Sequence, residues 1–341
     1  MEIKDLAGLS QPLTKLIEVV SSGIGAVSQP YLIAKNAEAK VKEIQAISDA
    51  LHEVAEKHHL PVTYNNGQVE IWQKPEDKTL VLESSSSSER AALRADYQER
   101  KRQRNIESVT AAAAIELANA DDVPNEELDE DWITRFFNSA QDVSSEQMQE
   151  LWGKILAGEI KKPGQYSLKT LDFLKNLTKK DASQIEKVCK LALRYHHMSF
   201  IGINDKKWLE DQRAIVPGDH FALGELGVLY PTDLRIRMFR TPDVEEDYLL
   251  HGSFILSLKR GEIKSEISLP MWKFTVIGTE LLSLLPPSDD LEYLRVIGKF
   301  FVSQNGKATL GMVNEHLPNG QINFKIIEEI SNDSSSDENK T

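Results

Sequence analysis

The sequence has a single cysteine, Cys189, in 341 residues. A disulfide within the chain is therefore excluded, and so is a metal site built from a cluster of cysteines. A reducing cytoplasm is the compartment that this cysteine usage favours. We expect Cys189 itself to behave as a small core residue, because Ile185, Val188 and Ala192 share its face of a predicted helix.

Long hydrophobic runs are also missing. The nearest approach, VIGTELLSLL at 276–285, contains Glu280 and is too short for the ~20 apolar residues of a membrane-spanning helix. The first residues lack the basic segment, apolar run and cleavage site of a secretory signal. We therefore predict a cytoplasmic protein without a membrane span. An amphipathic stripe at 4–27 leaves open a peripheral contact with a membrane surface.

Positive charge is in deficit, since 40 Lys and Arg stand against 53 Asp and Glu and give a formal net charge of −13. Such a chain is repelled by nucleic acid unless a local basic patch reverses the field. One such patch occurs in a predicted helix and consists of Arg100, Lys101, Arg102 and Arg104. We predict a solvated face paired with acids; contact with nucleic acid or acidic lipid is the alternative.

Motifs that carry catalysis are absent or incomplete. HEVAE at 52–56 begins like a zinc-protease helix, but Glu56 stands where the second histidine is required. GIG at 23–25 lacks the preceding strand and the third glycine of a dinucleotide-binding loop. Neither a GxSxG nor a GxxxxGK[ST] pattern occurs. The sequence therefore predicts a protein that is not an enzyme and holds no metal or cofactor.

The first 60 residues carry two apolar stripes at helical spacing. The second stripe, within 30–57, approximates a heptad seam, so we predict that it packs against the helix at 4–27 as in a coiled coil. Residues 61–83 follow, with apolar and polar residues alternating around Asn66 and Gly67. Asn-Gly is favoured in tight turns because both positions need positive φ, so this segment is predicted to be a β-hairpin.

A central helical bundle is predicted over 84–197. It begins with a long helix at 90–120 that is rich in strong helix formers. Four shorter amphipathic segments follow with short connections, which is typical of an antiparallel bundle. The last of them spans 181–197 and ends with His196 and His197.

Beyond residue 198 the composition and the hydrophobic pattern change, and an α+β domain is predicted over 198–327. Gly and Pro become more frequent between short strand-like runs. Two of these runs are YLLHGSFILSL at 248–258 and EIKSEISL at 262–269, and KRGE at 259–262 is predicted to be the hairpin turn between them. A strand that leads into a helix at 276–285 resembles a winged-helix domain, a fold that serves either DNA or protein contacts. The acidic tail at 328–341 is predicted to be disordered. The fold class is thus mainly α, a helical bundle followed by a winged-helix-like α+β part.

The most distinctive stretch is QELWGKILAGEI, which KKPGQYS follows closely. Trp152 and Leu156 share a wide apolar face, and Gly153 beside them allows another helix to approach. Pro163 and Gly164 then force a turn. We interpret the unit as a helical hairpin whose residues are all explained by packing.

With this motif the chain resembles a bacterial family known as a domain of unknown function, whose members share a "lw.kiLagE...PG..S..tL..L..L...dA" core. GIGAVSQPYLIAKNAEA at 23–39 and RKRQRNIESV at 100–109 match two further elements of that family. The hairpin is also similar, more distantly, to the alpha type of abortive-infection proteins, which defend bacteria against phage. These resemblances imply an intracellular interaction protein with a protein partner or a second copy of itself. The alternative is a winged-helix regulator that binds nucleic acid.

Overall fold

A computed structural model of the chain describes residues 10–24, 62–65, 68–71, 86–118, 120, 122–262, 266–317 and 321–331. The chain forms two compact units, Met1–Leu171 and Asp172–Thr341. Helices and a large antiparallel sheet occur together, so the fold class is mixed α+β. The domain boundaries expected at residues 60, 83 and 197 stay predictions, as does the winged-helix interpretation of the C-terminal part.

The N-terminal unit is mostly helical over its described residues. Its elements are α1 (Gln11–Ile24), β1 (Val62–Asn65), β2 (Gln68–Ile71), α2 (Ser87–Leu117), α3 (Glu130–Ala140) and α4 (Glu146–Lys161), and α5 (Leu168–Lys175) begins near its end. The strands β1 and β2 pair antiparallel with Asn65 opposite Gln68, which is the hairpin that the alternating pattern predicts.

The core of this unit forms where α2 and α4 pack together. Val109, Ala113 and Leu117 recur every four residues on α2, and their side chains are fully buried. The apolar face of α1 is buried as well, and this helix contacts α2, α3 and α4. The partner expected for α1 lies at 30–57, outside the described residues, so the structure instead shows α1 as part of the bundle core.

The C-terminal unit is built around a sheet of eight strands. Its elements are α6 (Lys179–Cys189), β3 (Leu193–Tyr195), β4 (Met198–Gly202), α7 (Lys206–Arg213), α8 (Pro217–Glu225), β5 (Leu234–Met238), β6 (Glu246–His251), β7 (Phe254–Lys259), β8 (Ile267–Lys273), α9 (Val276–Leu282), α10 (Leu291–Ser303), β9 (Lys307–His316) and β10 (Ile322–Ile330). The strand order is β10-β9-β7-β6-β3-β4-β8-β5, and all the pairings are antiparallel.

The two central strands of this sheet, β3 and β6, share little pairing. β3 meets β6 through one described residue pair, Arg194 opposite Leu250. By contrast, β6 and β7 pair along their whole length from Glu246 to His251. The sheet therefore consists of two sets of four strands that share a short junction.

The helix predicted over 181–197 was wrong in its second half. α6 ends at Cys189, and the chain continues into the antiparallel pair β3–β4. His196 and His197 lie in the turn between these strands, where His196 has a φ of 50°. The reason is tertiary, because Leu193 and Phe200 face each other in the pair and both are fully buried.

Three predictions in the second half of this unit were also wrong. The run at 248–258 is two strands rather than one, since the chain turns at Gly252 and Ser253, where Gly252 has a φ of 54°. KRGE was expected to be the hairpin turn between that run and the one at 262–269. Among the described strands it joins no hairpin, because β7 pairs with β6 and β9, whereas β8 pairs with β4 and β5. The acidic tail was expected to begin at Glu328, but β10 continues to Ile330 because it stays paired with β9 as far as Ile330 opposite Ala308. Glu328 also pairs with Arg295, with Nε and Oε1 2.6 Å apart. Residues 332–341 lie outside the described part.

Candidate functional site

The first 18 residues of α2, 87–104, form a segment that we call the α2 arm. A reciprocal cap starts it: the Ser86 hydroxyl accepts from the Glu89 amide at 3.2 Å, and the Glu89 carboxylate accepts from the Ser86 amide at 2.7 Å. Every residue of the arm is exposed except Arg102, which is half-buried. At 1.5 Å per residue, the arm presents about 27 Å of solvated helix.

Basic and acidic side chains occupy different sides of the α2 arm. Successive helical residues are rotated by about 100°, so positions three or four apart share a face. One such face, about 100° wide, carries four cations and two exposed apolar side chains: Arg90, Leu93, Arg94, Tyr97, Lys101 and Arg104. The acids Glu89, Asp96 and Glu99 lie outside this face. We call the six residues the basic face.

The structure separates the four basic residues that the sequence grouped together. Lys101 and Arg104 belong to the basic face, and neither has an ion pair among the described residues. Arg100 borders the face and pairs with Asp96 one turn earlier. Arg102 turns away, and its Nε lies 3.1 Å from a carboxylate oxygen of Asp142.

Sequence reasoning missed two cations of the basic face, Arg90 and Arg94. Both lie within the predicted helix, and counting back from Lys101 in steps of three and four residues reaches them through Tyr97. The same count finds Leu93 and Tyr97, which are 67% and 62% exposed. Helical spacing could have identified these two cations, but the search for residues adjacent in sequence found only the cluster at 100–104.

The formal charge of the arm is opposite in sign to that of the whole chain. The arm contains six cations against three acids, so its formal charge is +3 in a chain of −13. Exposed charges act within a Debye length of about 8 Å in physiological salt, so distant acids are screened. An anion that approaches the basic face therefore meets an attractive local field.

The helical hairpin occupies a different place from the arm. Trp152 and Leu156 are fully buried, and the Trp152 ring lies 5.2 Å from that of Phe136. Gly153 contacts α2 at Ala112, beyond the end of the arm. A Cβ at Gly153 would lie 2.5 Å from the Ala112 Cβ, so the helices approach too closely for any larger residue.

A buried acid that the sequence did not reveal holds the turn of this hairpin. Glu159 is 2% exposed, and its carboxylate accepts from the amides of Gly164 at 2.6 Å and Tyr166 at 2.9 Å. Gly164 follows Pro163 and has a φ of 78°, which favours glycine. The Trp132 indole donates to the Tyr166 carbonyl at 2.7 Å. An acid on an otherwise apolar helical face was the signal.

The described residues contain neither a cluster of potential metal ligands nor a helix able to cross a membrane. No three His, Cys, Asp or Glu side chains in that part of the chain are placed to hold a metal ion. None of the helices described there has both the length and the apolar character to cross a bilayer.

No protein with a curated description matches this chain, and no solved structure matches it. One family profile does: "Protein of unknown function (DUF2806)" matches residues 89–298, from the first turn of the α2 arm to α10. This covers more than half of the chain, so the chain belongs to the DUF2806 family. The resemblance to a domain of unknown function is thus accounted for, while the more distant link to abortive-infection proteins stays a prediction.

Proposed function

We propose that this DUF2806 protein is a non-enzymatic binding protein that contacts nucleic acid through the basic face of the α2 arm. One observation carries the proposal: four cations share an exposed helical face from which the acids of the arm are excluded. Neutralising phosphates with Lys and Arg releases counterions, which supplies most of the affinity of sequence-independent binding.

The geometry of the arm supports a polymer rather than a small anion as the partner. Arg90 and Arg104 are 14 residues apart, so the cations extend over about 21 Å of helix axis. A duplex carries a phosphate charge every ~1.7 Å along its axis, so several phosphates fall within this length. The exposed ring of Tyr97 lies among the cations, where it is able to stack on an unpaired base.

A salt titration tests this proposal. Fluorescence anisotropy of a labelled 25-base-pair duplex and of a single strand would be measured from low to moderate salt. Four neutralised phosphates predict a slope of log K against log salt of about −3.5 for the duplex. The double variant Lys101→Gln/Arg104→Gln should reduce that slope by about 2.

The matched control is Lys154→Gln/Lys162→Gln, which removes two exposed cations from α4 and its C-terminus. It should leave the slope unchanged. Absence of binding at low salt, or equal slopes for the two double variants, would refute the proposal. Recovery of cleaved strands after incubation would contradict its non-enzymatic part.

A second candidate function, protein–protein contact, is favoured by the exposure of Leu93 and Tyr97 on the same face. These two side chains lie one turn apart and would fit an apolar partner helix, including the arm of a second copy. Native mass measurement would show a dimer that Leu93→Gln/Tyr97→Gln converts to a monomer. A monomer at every concentration would remove self-association.

The biological setting that we propose is defence against phage, which rests on the similarity of the helical hairpin to abortive-infection proteins. Cells carrying the vector, the natural protein or the Lys101→Gln/Arg104→Gln variant would be challenged with phage. The natural protein should lower plaque counts, and the variant should restore them. Equal counts in all three strains would contradict this setting without affecting the binding measurement.

A further inference from the structure

A cleft of 380 Å³ lies within the C-terminal unit. The end of α6, the strand β3, the end of β6 and the segment after α9 form its walls. It adjoins the junction of the sheet, because both residues of the linking pair, Arg194 and Leu250, line it. Its volume falls within the range of about 300–1,000 Å³ that small-molecule sites occupy.

The greater part of the wall of the cleft is apolar. Its apolar lining includes Leu193, Leu250, Leu282, Leu285, Pro286 and Pro287. Leu193 and Leu250 are buried core residues of the sheet, whereas Leu282 is half-buried at the end of α9. An apolar chain placed here would lose contact with water along most of its length.

The charges at the cleft leave one cation without a partner among the described residues. Glu186 and Lys190 pair with each other, with Nζ and Oε1 2.9 Å apart. The guanidinium of Arg194 has neither a hydrogen bond nor an ion pair in that part of the chain. Arg194 also lines a smaller pocket of 120 Å³ beside His196 and His316, so its other side faces no acid there.

The remaining titratable groups of the cleft are already committed. His251 is 2% exposed; its Nδ1 donates to the Ala192 carbonyl at 2.9 Å, and its Nε2 accepts from the Asp290 amide at 3.0 Å. Burial lowers the pKa of His251, so the ring is neutral. Burial also raises the pKa of the Cys189 thiol to about 12, which keeps it protonated. Arg194 is thus the group left to bind a charged ligand.

We propose that this cleft binds a small amphipathic anion, with the carboxylate on the Arg194 guanidinium and the apolar body against the leucines. A guanidinium forms two parallel hydrogen bonds with a carboxylate, which gives both affinity and orientation. A straight chain of about ten carbons suits the volume and the apolar wall. This proposal does not rest on the function proposed above.

Titration calorimetry with decanoate, below its critical micelle concentration, tests the proposal. The expected result is one decanoate per chain, with decyltrimethylammonium, which has a similar tail and the opposite charge, at least tenfold weaker. Arg194→Gln should weaken decanoate roughly tenfold, because one charge-assisted pair is lost. Arg240→Gln, an exposed arginine of the same unit outside the cleft, is the matched control and should leave the affinity unchanged.

If Arg194→Gln fails to fold by circular dichroism, Leu282→Trp, which narrows the cleft and keeps the guanidinium, should weaken decanoate instead. No binding of decanoate, or equal binding of both amphiphiles, would overturn the proposal. So would an unchanged affinity for decanoate in Arg194→Gln or, if that variant does not fold, in Leu282→Trp.

Discussion

The two halves of α2 differ although one continuous helix contains both. Residues 87–104 are solvated and basic, whereas Val109, Ala113 and Leu117 in 105–117 are fully buried. The buried half is helical because its apolar stripe packs against α4, which is the usual source of helical stability. Among the described residues, the arm has no such core contact. Its helix depends on the Ser86 cap, on residue propensities and on surface pairs, so the two halves should respond differently to substitution.

The largest effect is expected from Trp152→Ala, which removes the biggest buried side chain from the core that holds 105–117. We expect a loss of about 3–5 kcal/mol in the free energy of unfolding, since the cavity collapses only in part. Urea denaturation followed by circular dichroism measures it. Tyr97→Ala on the arm is the matched aromatic control and should change stability by less than about 0.5 kcal/mol. Similar losses for the two variants would mean that the arm is packed.

The next largest effect is expected from Gly153→Ala. The added Cβ would lie 2.5 Å from the Ala112 Cβ and 2.9 Å from the Ala113 amide nitrogen, so α2 and α4 must separate. Overpacking of this kind costs about 1–3 kcal/mol, more than the ~1 kcal/mol gained by replacing a helical glycine. The double variant Ala112→Gly/Gly153→Ala should recover part of the loss. A gain in stability for the single variant would show that the contact is looser than described.

A smaller and local effect is expected from Ser86→Ala. Loss of the cap should cost about 1 kcal/mol of helix stability at the start of the arm. Amide hydrogen exchange should accelerate over the first turns of the arm and stay unchanged at 105–117. Faster exchange through the whole of α2 would show that its halves unfold together.

The smallest effect is expected from Arg100→Gln. It breaks the pair that Arg100 makes with Asp96 on the surface of the arm, which is worth about 0.2–0.5 kcal/mol in a helix. Helix content measured by circular dichroism should fall slightly in low salt and not in high salt. A loss that persists in high salt would identify a contact other than an ion pair.

The helices of the N-terminal unit could be predicted from sequence because their signals are local. The Leu16, Ile17 and Val20 stripe predicts α1, and the Pro163–Gly164 pair predicts the turn that follows α4. The hydrogen bonds that hold this turn could not be predicted. An acid on an apolar helical face marks Glu159 as unusual, but helical spacing does not tell which backbone amides its carboxylate accepts from.

The strands of the C-terminal unit were harder to predict for a physical reason. His196 occupies a left-handed turn without the Gly or Asn that marks such turns, so β3 and β4 were taken for a helix end. Gly252 was visible, but the apolar residues on both sides of it merged two strands into one run. The candidate site was also predicted only in part. The patch at 100–104 was found because its basic residues are close together in sequence, whereas the basic face consists of residues that helical rotation brings to one side.

The single residue pair that joins β3 to β6 is the mechanically weakest point of the eight-stranded sheet. Under force applied across its strands, the sheet should separate first between β3 and β6 and yield two sets of four strands. An optical trap gripping β5 and β10 would register this as a first rupture at low force. A ligand bound beside Arg194 would bridge the two sets of strands and raise that force.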